Sequence, residues 1–316
     1  MNKTILYIVV PCYNEEEALP ETNKQLHALL QEMVSDGLVS SESRILYVND
    51  GSKDNTWQLI ENYSQNPQYR VCGVKLAANA GHQNALMAGL ETAKEKADIM
   101  ISIDADLQDD IRAIPEMVRR YDDGCDIVYG VRKARTTDTW FKRNTALGFY
   151  KLMHALGVKT VYNHADYRLM SKRAVEQLCR YEERNLFLRG IVPQLGYKTA
   201  QVFYDRAERI AGESKYPLSK MLNFAMDGIT SFSIKPMRCI TSLGVIFVLI
   251  SIAILIYVIH SMIANDTVPG WTSLILSIWF VGGMILVCLG VVGEYIGKIY
   301  IETKNRPRYN IEKIVE

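Results

Sequence analysis

The sequence has no surplus of either charge: 36 Lys and Arg stand against 35 Asp and Glu in 316 residues, a formal net charge of +1. That balance excludes a global field able to gather nucleic acid or an acidic partner. Paired cysteine spacings are missing as well. Cys12, Cys72, Cys125, Cys179, Cys239 and Cys288 are scattered without CxxC, which excludes a structural zinc site and reads as reduced, cytosolic or membrane-buried thiols. Neither GxGxxG nor GxxxxGK[ST] occurs, so the common dinucleotide and P-loop phosphate sites have no support. The opening residues MNKTILYIVVPCYNEEE hold too short an apolar run for a secretory signal. A mean hydropathy of −0.03 excludes a disordered, collagen-like or uniformly apolar chain. It leaves room for a polar chain that is membrane-embedded at one end.

The apolar residues that are present are unevenly spread. No Asp, Glu, Lys or Arg occurs from Cys239 to Asn265, nor from Thr267 to Gly293, with Asp266 between the two runs. About 20 apolar residues cross a bilayer as a helix, so the runs predict a transmembrane hairpin over about 239–263 and 271–295; the alternative is a pair of buried core helices. Lys235 and Arg238 precede the first run, and Lys298, Lys304, Arg306 and Arg308 follow the second, while the connection carries neither Lys nor Arg. The positive-inside rule then predicts a multi-pass plasma-membrane protein with both flanks in the cytoplasm. Just upstream, over 211–238, Leu218, Met221, Leu222, Ala225, Ile229 and Phe232 recur at helical spacing. That predicts an amphipathic helix on the cytosolic leaflet or a packed surface helix. Residues 298–316 read as a cytosolic tail.

The first 130 residues alternate two patterns. Short β-rich runs occupy 5–10, 44–48, 70–76, 98–103 and 125–130, and stretches of helical spacing cover 16–33, 52–63 and 81–96. Repeated β-α-β with apolar strands predicts an α/β fold, a mostly parallel sheet with helices on both faces, in a cytosolic domain over 1–210. Ligands of such sheets bind where strands end. The fourth run ends in Asp104-Ala105-Asp106-Leu107-Gln108-Asp109-Asp110. Two carboxylates two residues apart with an amide oxygen make a hard-oxygen site suited to Mg²⁺ or Mn²⁺, and four acids in seven residues call for some cation. The first run ends in Pro11-Cys12-Tyr13-Asn14-Glu15-Glu16 and the second in Asn49-Asp50-Gly51-Ser52-Lys53-Asp54. There Ser52 or Asp54 can cap the next helix, and Asp50 stands where a base or ribose could bond to it.

These motifs, in this order, resemble the family 2 glycosyltransferases of GT-A fold, with Rossmann-like topology. The resemblance narrows with Leu76–Leu86 (LAANAGHQNAL), Asp166–Met170 (DYRLM), Arg209–Tyr216 (RIAGESKY) and Gly293–Lys298 (GEYIGK). It points to the polyprenyl-phosphate glycosyltransferases, bactoprenol glucosyl- or N-acetylglucosaminyltransferases related to dolichol-phosphate mannose synthase. The resemblance implies that Pro11, Tyr13, Glu15, Asp50 and Asn79 hold the nucleotide of a UDP-sugar. Asp104, Asp106 and Gln108 would hold the divalent cation, and Arg209 and Lys215 would close over the diphosphate. Arg132, Arg143 and Arg168 would meet the lipid phosphate, and Asp166 with Arg168 would line the sugar and acceptor side. The implied reaction is an inverting sugar transfer to undecaprenyl or another polyprenyl phosphate, with UDP-glucose or UDP-N-acetylglucosamine as donor. GDP-mannose use and a non-catalytic scaffold are the alternatives, and His82 fits packing, capping or a substrate contact. A homo-oligomer such as a tetramer is implied too, and Gly244, Gly282, Gly283, Gly290 and Gly293 would let helices approach closely.

Overall fold

The computed structural model describes residues 3–132, 164–184, 186–205 and 270–316, with scattered positions between 237 and 256. The amphipathic segment, most of the first apolar run, and Arg143, Arg209 and Lys215 lie outside the described residues. The chain divides into two compact units, one holding the sheet and taking in Arg306–Glu316, the other holding the long apolar helix.

In the first unit, β1 (Leu6–Cys12), β2 (Arg44–Asn49), β3 (Val71–Leu76), β4 (Ile99–Ser102), β5 (Ile127–Arg132), β6 (His164–Ser171), β7 (Thr199–Tyr204) and β8 (Ile311–Val315) build one sheet. Their spatial order is β7-β5-β6-β4-β1-β2-β3-β8. Six strands run one way. β6 is antiparallel to β4 and β5, and β8 is antiparallel to β3. The predicted mostly parallel α/β sheet is therefore present, and its first five strands fall where the apolar runs are.

The helices are α1 (Leu19–Ser35), α2 (Thr56–Ser64), α3 (His82–Ala93), α4 (Ile114–Asp122), α5 (Lys172–Cys179) and the single turn α6 (Leu188–Ile191). Alternation along β1 sends Leu6, Ile8 and Val10 to a core shared with Leu26, Leu30 and Met33 of α1 and Ile114, Met117 and Val118 of α4. Val9 and Val48 point the other way, to α3. There a Cβ on Gly89 would stand 2.4 Å from Val9 and 2.7 Å from Val48, so only glycine lets the helix lie this close. Both faces of the sheet are thereby covered, as near-continuous apolar strands require.

Two elements correct the sequence reading. Asp166–Met170, read there only as a motif, lies in β6, inserted between β4 and β5. The residues read as a cytosolic tail, 298–316, carry regular structure: helix α7 runs from Trp271 to Thr303, 33 residues rather than ending near 295, and Ile311–Val315 then pairs with β3. At about 1.5 Å per residue α7 is roughly 50 Å long. Its stretch Phe280–Thr303 is long and apolar enough to cross a membrane, and none of it is buried. Among the described residues it is the one such helix.

Candidate active site

The loops after β1 and β2 are a single hydrogen-bonded unit. Asn14, with φ of 54°, donates its N–H to Ser52 Oγ at 3.0 Å and accepts at Oδ1 from Lys53 N at 2.9 Å. Glu15 N donates to Thr56 Oγ1 at 2.9 Å, and Glu16 N to Asp54 Oδ2 at 3.2 Å. Burial raises the Asp54 pKa, but hydrogen bonds from Thr56 and Glu16 outweigh it and hold the carboxyl below its ordinary value. Of the two expected caps, Asp54 does accept from Thr56 N at 3.1 Å at the start of α2. Ser52 instead serves Asn14. Pro11 is buried here, Glu15 is half-buried, and Tyr13 keeps 40% of its surface.

Asp50 is buried, and both its oxygens are occupied. Oδ1 accepts from Ala80 N at 2.6 Å, Oδ2 accepts from Gly81 N at 3.0 Å, and its carbonyl accepts from Asn79 Nδ2 at 3.2 Å. Burial pushes its pKa up, partly offset by those N–H donors. Gly51 stands at φ +63°, where a Cβ would lie 2.5 Å from Asn79 N. Asp50 and Asn79, both assigned to the nucleotide from the sequence, are thus brought together, with Asp50 anchoring the loop that delivers His82. His82 Nε2 lies 3.5 Å from Asp104 Oδ1, so this histidine faces the site.

The four acids after β4 separate into two pairs. Leu107 has φ of 51°, a left-handed conformation costing a bulky residue about 1–2 kcal/mol. The turn it makes lets Asp106 Oδ1 accept from Gln108 N at 3.2 Å. Asp104 and Asp106 stay part-exposed at the strand end. Removal from water raises the Asp104 pKa. His82 opposes the rise, and Asp109, Asp166 and Asp106 add to it. Asp109 and Asp110 turn away. Asp110 caps the short 3-10 turn, accepting from Arg112 N at 2.9 Å. Asp109, 2% exposed, accepts from Arg132 Nη2 at 2.9 Å and from Tyr204 OH at 2.5 Å. Two of the expectations change here. Part of the cation that four clustered acids seemed to need is Arg132, and Arg132, read as a lipid-phosphate ligand, is a partner of Asp109 at the ends of β5 and β7.

Register explains how the DYR segment reaches the same place. Ser102 pairs with Arg168 across β4 and β6, so the antiparallel strand starts where β4 finishes. Asp166 Oδ1 accepts from Arg168 Nη2 at 2.6 Å and from Arg189 Nε at 3.3 Å, and Oδ2 accepts from Arg189 Nη2 at 3.0 Å. Burial favours the protonated acid, yet Arg189 and Arg168 overcome it and hold the carboxyl far below the usual range. Arg168, expected at the lipid phosphate, is 2% exposed and bonded to Asp166. Sequence reading missed Arg189, and also Gln83, whose Oε1 accepts from Leu188 N at 2.7 Å. The only signal was an arginine set in the apolar stretch Asn185–Gly190.

Among the described residues no three His, Cys, Asp or Glu side chains are gathered into a metal-binding group. Asp104, Asp106 and Gln108 present two carboxylates and an amide, a hard-oxygen set that fits part of a Mg²⁺ or Mn²⁺ shell, the rest coming from water and substrate oxygens.

The chain resembles known proteins in sequence and in fold. Over 311 residues the chain is 54% identical to the uncharacterized glycosyltransferase YkoT of Bacillus subtilis, covering 98% of this chain and 92% of that one. It is 42% identical over 308 residues to the SfII prophage-derived bactoprenol glucosyl transferase of Shigella flexneri, covering 97% of each. Among solved structures, mannosyl-3-phosphoglycerate synthase from Rubrobacter xylanophilus superposes with a TM-score of 0.52 over 76% of this chain and 75% of its own, at 15% identity, a likeness of GT-A-like fold. The description of glycosyl transferase family 2 matches residues 7–179, the span that holds β1 to β6 and both carboxylate motifs, and the chain belongs to that family of glycosyltransferases.

Proposed function

We propose that this glycosyltransferase moves a hexose or N-acetylhexosamine from a nucleoside-diphosphate sugar, UDP-glucose or UDP-N-acetylglucosamine, to undecaprenyl or another polyprenyl phosphate. The reaction takes place at the cytosolic leaflet of the plasma membrane, inverts the anomeric centre, and supplies a lipid-linked sugar for modifying cell-envelope glycans. The observation that carries the reading is the pair Asp104 and Asp106 at the end of β4, beside the Asp166–Arg168–Arg189 cluster. Carboxylates for a cation and the part-exposed Arg189 lie at this end of the sheet. The names of relatives such as the Shigella enzyme support the lipid acceptor.

A phosphate monoester is already anionic near neutral pH, so attack on the anomeric carbon needs no strong base. A carboxyl held as low as Asp166 is a poor one. Asp104, Asp106 and Gln108 would hold Mg²⁺ or Mn²⁺, which when bound neutralises charge on the departing diphosphate. The Asp50-anchored loop and Tyr13 would border the nucleotide. Arg209 and Lys215 would close over the diphosphate, and Arg143 would meet the lipid phosphate.

Membrane attachment is supported by parity. β8 belongs to the same sheet as β1–β7, so the chain on either side of the membrane segment ends on one side of the bilayer. If α7 crosses once, the uncharged run Cys239–Asn265 is the sequence's candidate for a second crossing. The glycines of α7 suit a homo-oligomer.

The test is full-length protein offered UDP-glucose, UDP-N-acetylglucosamine, UDP-galactose and GDP-mannose with undecaprenyl phosphate, the lipid product being read by mass spectrometry. A lipid-phosphate sugar formed from a UDP donor, lost on chelation and restored by Mn²⁺ or Mg²⁺, is the expected result. No lipid product from any donor overturns the reading.

A further inference from the structure

The turn that carries Asp104 and Asp106 is fastened at both ends from outside its own motif. Leu107 sits at φ of 51°, and a bulky residue keeps such a backbone only where the surroundings fix it. Inside the turn, Asp106 Oδ1 accepts from Gln108 N at 3.2 Å, a local bond that does not tie the turn to the sheet. Its far end is tied by Asp109 to Arg132 and Tyr204, and by Tyr167 OH, which donates to the Asp110 carbonyl at 3.0 Å. Its near end is tied from another layer. Thr22 Oγ1, on α1, donates to the carbonyl of Ala105 at 2.6 Å, across 83 positions of chain. Ala105 is the residue between the two carboxylates.

The Thr22 hydroxyl also stands 2.9 Å from the carbonyl of Ala18, one turn back in its own helix. Threonines within helices commonly make only that local bond. Here the Ala18 carbonyl already accepts from Thr22 N at 3.1 Å, and the contact to Ala105 is the shorter. Thr22 is 1% exposed and Ala105 4%. Deleting the hydroxyl would take a donor from a buried carbonyl, where water does not easily replace it. The helix behind Thr22 is itself fixed. Leu19, Leu26, Leu30 and Met33 lie in the core, and Asn23 accepts from Tyr47 OH of β2 at 3.2 Å. The turn is thereby tied to a packed helix.

We propose that Thr22 is a positioning residue for the cation site: its hydroxyl fixes the Ala105 carbonyl and so sets the flanking carboxylates, Asp104 and Asp106, for Mg²⁺ or Mn²⁺. It touches neither cation nor substrate. The inference rests on the reading above, in which these two acids hold the cation.

The experiment uses the full chain in lipid nanodiscs, as parent, Thr22→Val, Thr22→Ser and Tyr167→Phe. Mn²⁺ binding with UDP present is read by calorimetry and from the paramagnetic resonance signal of free Mn²⁺, beside melting temperature and turnover. Thr22→Val keeps the branched shape and deletes the hydroxyl. It should weaken Mn²⁺ binding about 10–100-fold, the usual effect of removing a group that orients a metal ligand. The Mn²⁺ concentration for half-maximal turnover should rise by the same factor. Thr22→Ser keeps the donor and should bind Mn²⁺ as the parent does. Tyr167→Phe deletes a hydroxyl-to-carbonyl bond at the other end of the same turn, where Asp109 also holds. It should lower the melting temperature and leave Mn²⁺ affinity unchanged, which separates aiming from stability alone.

Thr22→Val that binds Mn²⁺ within twofold of the parent overturns the inference. So does Thr22→Ser that loses as much affinity as Thr22→Val, and so does an equal loss in Tyr167→Phe, which would mean a general loosening of the turn. Should Thr22→Val fail to fold, Thr22→Ala removes the same hydroxyl at a helix position that alanine suits, and the same binding measurement decides. A parent that binds Mn²⁺ while Thr22→Val is unimpaired sinks only this inference. A parent that binds no Mn²⁺ sinks the cation reading on which it rests.

Discussion

Asp109 and Asp166 stand at the same end of the sheet, each bonded to arginine, and their surroundings give them different uses. Asp109 is 2% exposed and meets one arginine, Arg132, and the hydroxyl of Tyr204. Acid and base cancel, and the cluster ties the loop after β4 to β5 and β7. Asp166 meets two arginines, one buried and one part-exposed, and the three tie β6 to the segment that carries Arg189. Motif position alone does not show which partners a carboxylate finds: Asp109 lies inside DADLQDD and Asp166 opens DYRLM.

The comparison can be broken in four places, taken from the largest effect down. Asp106→Ala strikes neither cluster and should remove turnover by about 10²–10³-fold, equivalent to roughly 2.7–4 kcal/mol of barrier, with an unchanged melting temperature. Retained turnover would remove the cation site from the chemistry. Asp109→Ala strips Arg132 of its carboxylate and should cost about 2–3 kcal/mol of stability. That is less than a fully buried pair loses, because Arg132 keeps 22% exposure. Denaturant unfolding of the solubilised chain reads this, and a cost near zero would mean that the cluster fastens nothing.

The third test uses pH. The folded-state pKa of Asp166 lies below its ordinary 3.8, so its stabilising contribution is complete above that value and is lost as pH falls toward the lower folded value. The melting temperatures of parent and Asp166→Asn should therefore differ most near neutral pH and converge as pH drops below 3.8. A constant gap would contradict the pairing. The smallest effect is expected from Tyr204→Phe, which deletes the bond donated to Asp109 and the longer one accepted from Arg132 Nε for about 1.5 kcal/mol and should leave donor and acceptor KM unchanged.

The parallel half of the fold was legible because apolar β-rich runs and helical spacing are local. The strands at 44–48 and 70–76 needed only their own residues to be read. β6 and β8 were not legible, since both are defined by a distant partner. His164–Ser171 carries Asp166 and Arg168 in a strand pattern that looks polar until Asp166 is found bonded to Arg189. Ile311–Val315 places Glu312 and Lys313 between apolar residues, and these meet Lys75 and Glu61 only once the sheet has formed. In the site, the carboxylates after β4 could be read as a constellation because they are consecutive. What could not be read was which acids face inward: Asp109 finds Arg132 23 residues away and Tyr204 95 away.

The pairing of β8 with β3 also sets an order in time. Lys75 and Glu312 are separated by 237 positions. At roughly 5–20 residues per second of synthesis, the edge of β3 waits about 12–47 s for the segment that covers it. An uncovered edge is a template for pairing with other chains. Everything between, including the apolar runs, must leave the ribosome before that edge is closed. The sheet of the sugar-transfer domain is therefore completed after the long apolar helix is made, so a nascent chain whose apolar runs stall is left with an open, self-associating sheet.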